Sequence, residues 1–278
     1  MMQTARWQLK RVFWKQVRSA LSSAGPLMSP RSHSRQDLDD WMAEASRMLP
    51  ALHLHMLYKG PEGLETLVLI GALHDSEDIA HQVDQAITSL KPCHVGLELC
   101  ARRFRRLFPF GVGAFLSLAP DDRHQLLQRL PSGKEQLAAA AAAERCGVPI
   151  TLCDRDSKTS ERRFLAALGP ETLAAGSMAA FGGACVPEVQ EKLETAFATY
   201  IVGERDFVLA HKLVSLPGLV AGVVGRRHVP GIIAQLQCPF REEDAQRAEN
   251  LCAAVHLPLW RSLLGRPLLW HLRGTVKK

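Results

Sequence analysis

The stretch from Glu65 to Arg103 reads as one strand–helix–strand unit, and it narrows the possible folds more than any other part of the chain. Leu67–Ile70 is an unbroken apolar run of strand length, the pattern of a strand buried on both faces of a sheet. Gly71 is expected to turn the chain out of this strand. Asp75 or Ser76 is expected to cap the helix that follows, with Glu77 and Asp78 favourable in its first turn. Ile79, Val83, Ile87 and Leu90 recur at helical spacing, so one face of that helix packs on a sheet. Lys91-Pro92 stops the helix. Cys93, Val95, Leu97 and Leu99 then alternate with His94, Gly96 and Glu98, as a second strand would. A crossover of this kind joins parallel strands. The expected class is therefore α/β, a mostly parallel sheet flanked by helices. Ligand sites in such sheets form beyond the carboxyl ends of the strands, and His74 and Glu98 stand there.

Part of the unit recurs. In L-V-A-G-V-V-G-R-R-H-V-P-G-I-I an apolar strand again reaches a glycine, Gly225, and a histidine, His228, again follows three residues later. The fold is expected to hold two related strand–GxxH–helix units. A third apolar run, Val148–Cys153, leads into Asp154-Arg155-Asp156. Four strand ends thus offer His74, Glu98, Asp154 and His228. Neutral imidazoles with a carboxylate are ligands for a divalent metal such as manganese, cobalt, zinc or iron, and His74, Glu98 and His228 are the expected set. A metal with an open position polarises a carbonyl and lowers the pKa of bound water. Glu135 or Asp154 would serve as general base, and Arg103 or Arg155 would hold a substrate carboxylate or orient a carboxylate that ligates the metal. The competing reading is that each histidine only closes its local turn. His53, His55, His81, His94, His124, His211, His256 and His271 lack such a context and read as structural or solvated. The chain has no G-x-S-x-G, P-loop or G-x-G-x-x-G, so those chemistries lack support.

The rest of the chain supplies the frame. A helix is expected over 37–50, capped near Ser34, then a strand over 52–57 and a hairpin turn over 59–63 into the strand ending at Ile70. Helices are expected around Arg102–Arg106, Pro120–Leu130, Lys134–Cys146 and Ser160–Leu168, the third with a smooth alanine face over Ala138–Ala143. Gly176–Pro187 reads as a glycine-rich loop or lid. Glu188–Val214 reads as a helix broken near Gly203, and Leu219–Val224 as a strand. The tail is helical to about Ala254. It then mixes Trp260, Leu263, Leu264, Leu268, Leu269 and Trp270 with basic residues, fit to dock on the core, bind a partner or lie on a membrane surface.

Charge divides the chain. The 278 residues carry a net charge of +6, but residues 1–36 hold seven basic residues and no acid, leaving 27 basic against 28 acidic residues in the rest. That balance argues against a nucleic-acid-binding body. The acid-free, serine-dotted start reads as a transit peptide for a mitochondrion or plastid, or as a basic arm on a cytoplasmic protein. The expected organisation is an arm over 1–36, an α/β domain over 37–240 and a helical tail over 241–278. The seven cysteines are scattered without a C-x-x-C pair, as reduced thiols are.

L-V-L-I-G-A-L-H-D-S followed by V-G-L-E-L-C-A-R-R-F resembles the opening motif of the TraB family, where a G-x-x-H precedes an E-L-x-x-x-R. G-K-E-Q-L-A-A-A, L-C-D-R-D-S-K-T-S-E-R-R, G-E-R-D-F and V-V-G-R-R-H-V-P-G-I resemble its later segments, in the family's order, across roughly residues 64–237. The resemblance implies a TraB/Tiki/erythromycin-esterase-like fold and relatives of mixed activity, among them metal-dependent peptidases, so a metal-dependent hydrolase acting on a peptide or ester is the expected function. It adds Glu204, Arg205, Asp206 and Arg163 as supporting residues. The chain departs from the family at Ala72-Leu73, where Thr-Ala is usual, at Asp156, and at Arg226-Arg227, where small or apolar residues are common. The alternative is a non-catalytic organelle adaptor that keeps the fold and uses the tail for contact with a membrane or another protein.

Overall fold

The computed structural model describes residues 33–58, 65–73, 76–130, 132–182, 186–238 and 240–275. The hairpin turn over 59–63, most of the basic arm and His74 lie outside the described residues. The chain divides into two compact units, one drawn from Met1–Leu152 with Leu213–Val229, the other from Cys153–Lys212 with Pro230–Lys278. The residues of the expected tail, 241–278, fall in the second unit, and those of the expected body, 37–240, fall in both.

The first unit is built on a five-stranded sheet. Its strands are β1 (His53–Tyr58), β2 (Thr66–Ala72), β3 (His94–Leu97), β4 (Ile150–Leu152) and β5 (Leu219–Gly225). They are ordered β1-β2-β5-β3-β4. β1 pairs antiparallel with β2, as the expected hairpin requires, and every other pairing is parallel. β5, last in sequence, inserts between β2 and β3. Every residue of β2 and β5 is buried, which is why both read as unbroken apolar runs rather than alternating ones.

Helix α1 (Arg35–Met48) begins within the expected arm, because Ser34 and Asp37 form a reciprocal cap there. Its Trp41 indole N–H donates to Ser89 of α2 (Glu77–Leu90). α2 buries Ile79, Val83, Ile87 and Leu90, as its spacing requires, and ends at Lys91 in the left-handed region, φ 49°. Beyond β3 come α3 (Ala101–Leu107), α4 (Val112–Leu116), α5 (Pro120–Arg129) and α6 (Lys134–Arg145). Five consecutive alanines of α6, Ala139–Ala143, are buried. The smooth face lets α6 approach α2 and the sheet closely, as the sequence suggested.

The second unit contains α7 (Ser157–Ala167), α8 (Pro170–Ala180), α9 (Pro187–Ala196), a π-helical segment (Phe197–Gly203), α10 (Glu204–Val214), α11 (Val229–Leu236), α12 (Glu242–Cys252) and α13 (Leu259–Thr275). α7 starts earlier than Ser160 because the Asp156 carboxylate accepts the Lys158 N–H as its cap. The expected break near Gly203 takes the form of the π segment. The loop or lid expected from Gly176 is corrected: Gly176–Ala180 is the second half of α8. Glycine is there for packing, since a Cβ would sit 3.1 Å from Leu193.

Gly71 is also corrected. It lies inside β2, opposite Val224 of β5, and does not turn the chain. A Cβ at this position would meet Val229 Cγ2 at 2.6 Å and His53 Cβ at 3.1 Å. Glycine is required by the close approach of β1 and the segment following β5. Gly71→Ala should therefore destabilise the chain by about 1–3 kcal/mol, the range for overpacking a dense interior, read as a lower denaturation midpoint with an unchanged slope.

Candidate functional site

The strand order brings the ends of β2, β5 and β3 side by side. Ala72 pairs with Gly225, and Glu98, the residue after β3, donates its N–H to Val223 O of β5 at 3.1 Å. The polar residues that follow β5 and β3 are thereby brought to one edge.

Glu98 is 3% exposed and His228 6%. One carboxylate oxygen, Oε2, accepts the Gly225 N–H at 2.6 Å. The other, Oε1, lies 3.3 Å from His228 Nε2. Gly225 is the last residue of β5, in extended backbone, and its contribution to the site is that N–H. His228 follows on a single 3₁₀ turn, Arg226–His228, which carries it back toward the β3 end. Arg103, on α3, donates to Glu98 O at 3.1 Å, with Nη1 4.0 Å from Oε1. From below, Gln136 of α6 donates Nε2–H to Val223 O at 3.1 Å, the carbonyl that Glu98 N–H also uses. The start of α6 is thus fixed against the same strand end. It carries Glu135, 1% exposed, in its first turn. Gln136 and the Gly225 N–H were not apparent from sequence, since a backbone donor and a lone glutamine carry no motif.

A nitrogen and an oxygen bound to one tetrahedral metal at ~2.1 Å each stand about 3.4 Å apart. The separation of His228 Nε2 from Glu98 Oε1 fits such a pair, and the hydrogen bond from Gly225 leaves Oε1 as the oxygen beside the imidazole. Among the described residues no group of three or more His, Cys, Asp or Glu side chains is gathered for a metal. His74, the third expected ligand, follows β2 in sequence and is outside the described residues.

The remaining candidates form a cluster within the second unit. Asp154 Oδ1 accepts the N–H of Arg155 at 2.8 Å, and its two oxygens take a two-pronged contact from Arg205, at 3.0 and 2.8 Å. Arg155 has no exposed side-chain surface. It donates to Ser160 Oγ at 2.8 Å, to Glu204 Oε2 at 2.6 Å, to Leu251 O at 3.2 Å and to Tyr200 O in the π segment. Arg163 grips both oxygens of Glu204, at 2.6 and 2.8 Å. Enclosed and bonded in this way, Arg155 organises the cluster. Asp206, 4% exposed, packs against Gly231 so closely that a Cβ there would overlap its carboxylate. That contact joins the segment carrying Glu204-Arg205-Asp206 to the one carrying Gly231.

Burial pulls Arg155 below the ordinary arginine value, against the hold of Glu204. The hydrogen bonds to Glu204 push Arg163 up. Burial alone would raise the Glu204 carboxyl, but hydrogen bonds and charge from Arg163 and Arg155 more than reverse this and hold it below its ordinary 4.5. Burial pushes the neighbouring Cys252 thiol up, so it is no ready nucleophile.

No protein-family model and no curated protein matches the chain.

A depressed carboxyl stabilises the fold fully above its unfolded value and ceases to do so as pH falls through the folded value. The Glu204 contribution is therefore present above about pH 4.5 and lost below it. Glu204→Gln strands the Arg155 charge and should cost about 3–5 kcal/mol at neutral pH. Denaturant titrations across pH should show the gap between wild type and variant closing as the solution is made more acid.

Proposed function

We propose that this chain is a divalent-metal-dependent hydrolase of TraB-like kind, cleaving a peptide or ester bond at the carboxyl edge of its sheet. The observation that carries the reading is the buried Glu98–His228 pair, oriented by the Gly225 N–H at the meeting of three strand ends. A buried, oriented carboxylate beside an imidazole is costly unless the pair is put to use or fully satisfied. The order of motifs that resembles the TraB family, and the parallel sheet that carries them, support the same reading.

His228, Glu98 and His74 would hold the metal. When bound, it supplies Lewis acidity, polarising the scissile carbonyl and lowering the pKa of water. Glu135, set in a buried first turn at the same strand end, would take the proton of the attacking water and return it to the leaving group. Asp154 is the less suitable base, because Arg205 already holds both its oxygens. Arg103, half-exposed and anchored on the Glu98 carbonyl, would hold a substrate carboxylate.

The full chain should carry near-stoichiometric manganese, cobalt or zinc after incubation with each, measured by elemental mass spectrometry. Glu98→Gln keeps an acceptor for Gly225, and His228→Ala removes only the imidazole; each takes away a ligand and should abolish near-stoichiometric metal uptake. Circular dichroism should stay unchanged. Wild type that takes up no metal, or variants that retain all of it, would overturn the reading.

A further inference from the structure

The last described helix, α13, is apolar on two opposite sides. Its inner side is fixed within the second unit. Leu268 is 1% exposed, and Gly265 packs against Leu165 of α7. Arg261 Nη1 donates to Leu165 O and Leu168 O, at 2.8 and 2.7 Å, closing the carboxyl end of α7. Ser177 of α8 donates its hydroxyl to Leu264 O. Rotation of α13 about its own axis is prevented, so what its other side presents is set by the fold.

That other side presents Leu259, Leu263 and Trp270, which are 74%, 55% and 73% exposed. Their spacing keeps them on one line along the helix. Trp260 flanks the line and is stacked on Arg261. α8 runs antiparallel beside α13, since Ser177 meets Leu264 and Gly176 meets Leu268. Its end therefore adds Met178 and Phe181, 71% and 80% exposed, next to the first turns of α13. Isolated exposed hydrophobics are ordinary, but three large ones in line on a helix held against rotation mark a contact surface.

Charge identifies the partner. Residues 250–278 hold five basic residues (Arg261, Arg266, Arg273, Lys277, Lys278) and no acid. The one acid of α8, Glu171, is in its first turn, at the opposite end from Phe181. Tryptophan favours the boundary between headgroups and acyl chains, and basic residues are drawn to anionic lipid. Among the described residues no helix is long and apolar enough to cross a bilayer. We propose that the α8–α13 face lies on an anionic membrane surface, with Leu259, Leu263, Trp270, Met178 and Phe181 inserted among the acyl chains and Arg266 at the headgroups. This is a peripheral, in-plane attachment.

Flotation of the full chain tests it, with vesicles of phosphatidylcholine alone and of phosphatidylcholine mixed with phosphatidylglycerol. The wild type should float with the mixed vesicles. Leu263→Glu/Trp270→Glu alters only exposed positions and leaves the basic start of the chain intact. It should lower the partition coefficient about 100-fold, two buried apolar side chains each contributing about tenfold, with an unchanged melting temperature. Arg266→Glu, a milder change, should weaken binding to the mixed vesicles and leave the weak binding to neutral ones as it was. Wild type that floats with neither preparation, or a double variant that floats as well as wild type, would overturn the proposal. So would a wild-type dimer that the double variant dissolves without any vesicle binding, since the face would then meet a second copy of the chain.

Discussion

A carboxylate almost sealed from water cannot be left to itself, and the position of Glu98 makes demands on the whole sheet. Desolvation of a charge costs several kcal/mol unless hydrogen-bond donors or counter-charges replace the lost water. Here the replacement comes from a different part of the chain, the Gly225 N–H and the His228 imidazole. Both reach Glu98 only because β5 enters the sheet between β2 and β3. The strand order, the glycine at the end of β5 and the tight turn that returns His228 are thus one arrangement.

The second unit meets the same problem with a cation. Arg155 is enclosed, and its donors are matched one by one: a hydroxyl, a carboxylate and two main-chain carbonyls. Glu204 links it to Arg163, and the Asp154–Arg205 pair adjoins it through the Arg155 N–H. That matching is what makes the burial tolerable, since a poorly matched ion pair inside a protein is worth less than apolar packing. The residues form a frame in which each charge fixes the rotamer of the next.

Much of this could be read from the chain and some could not. The buried strands β2 and β5 announced themselves as unbroken apolar runs. α2 was legible from its spacing and its Lys-Pro stop, and α6 from its alanines. Glu98 stood out at the carboxyl end of a strand, and His228 by its spacing of three residues from the glycine that ends another. Gly71 and Gly176 misled, because glycine permits both a turn and a close approach, and only the neighbours Val229, His53 and Leu193 decide between them. The alternation expected for β3 gave way to burial on both faces, since its neighbours β5 and β4 were not yet known. Arg155 read as a candidate for a substrate carboxylate because nothing local reveals that Tyr200 and Leu251, far along the chain, present their carbonyls to it.

The π segment before Glu204 has a meaning for the chain's tolerance of insertions and deletions. A wide turn of this kind holds one more residue than an α-helix would over the same rise. Winding all of Phe197–Gly203 as regular α-helix would instead turn everything beyond it by about 100° relative to α9. Glu204, Arg205 and Asp206 would then move together, away from Arg155, Asp154 and Gly231. The segment acts as a phase setting for the E-R-D triplet: loss of its one extra residue would close it into α-helix with the triplet still in phase, whereas a further insertion would turn the triplet away.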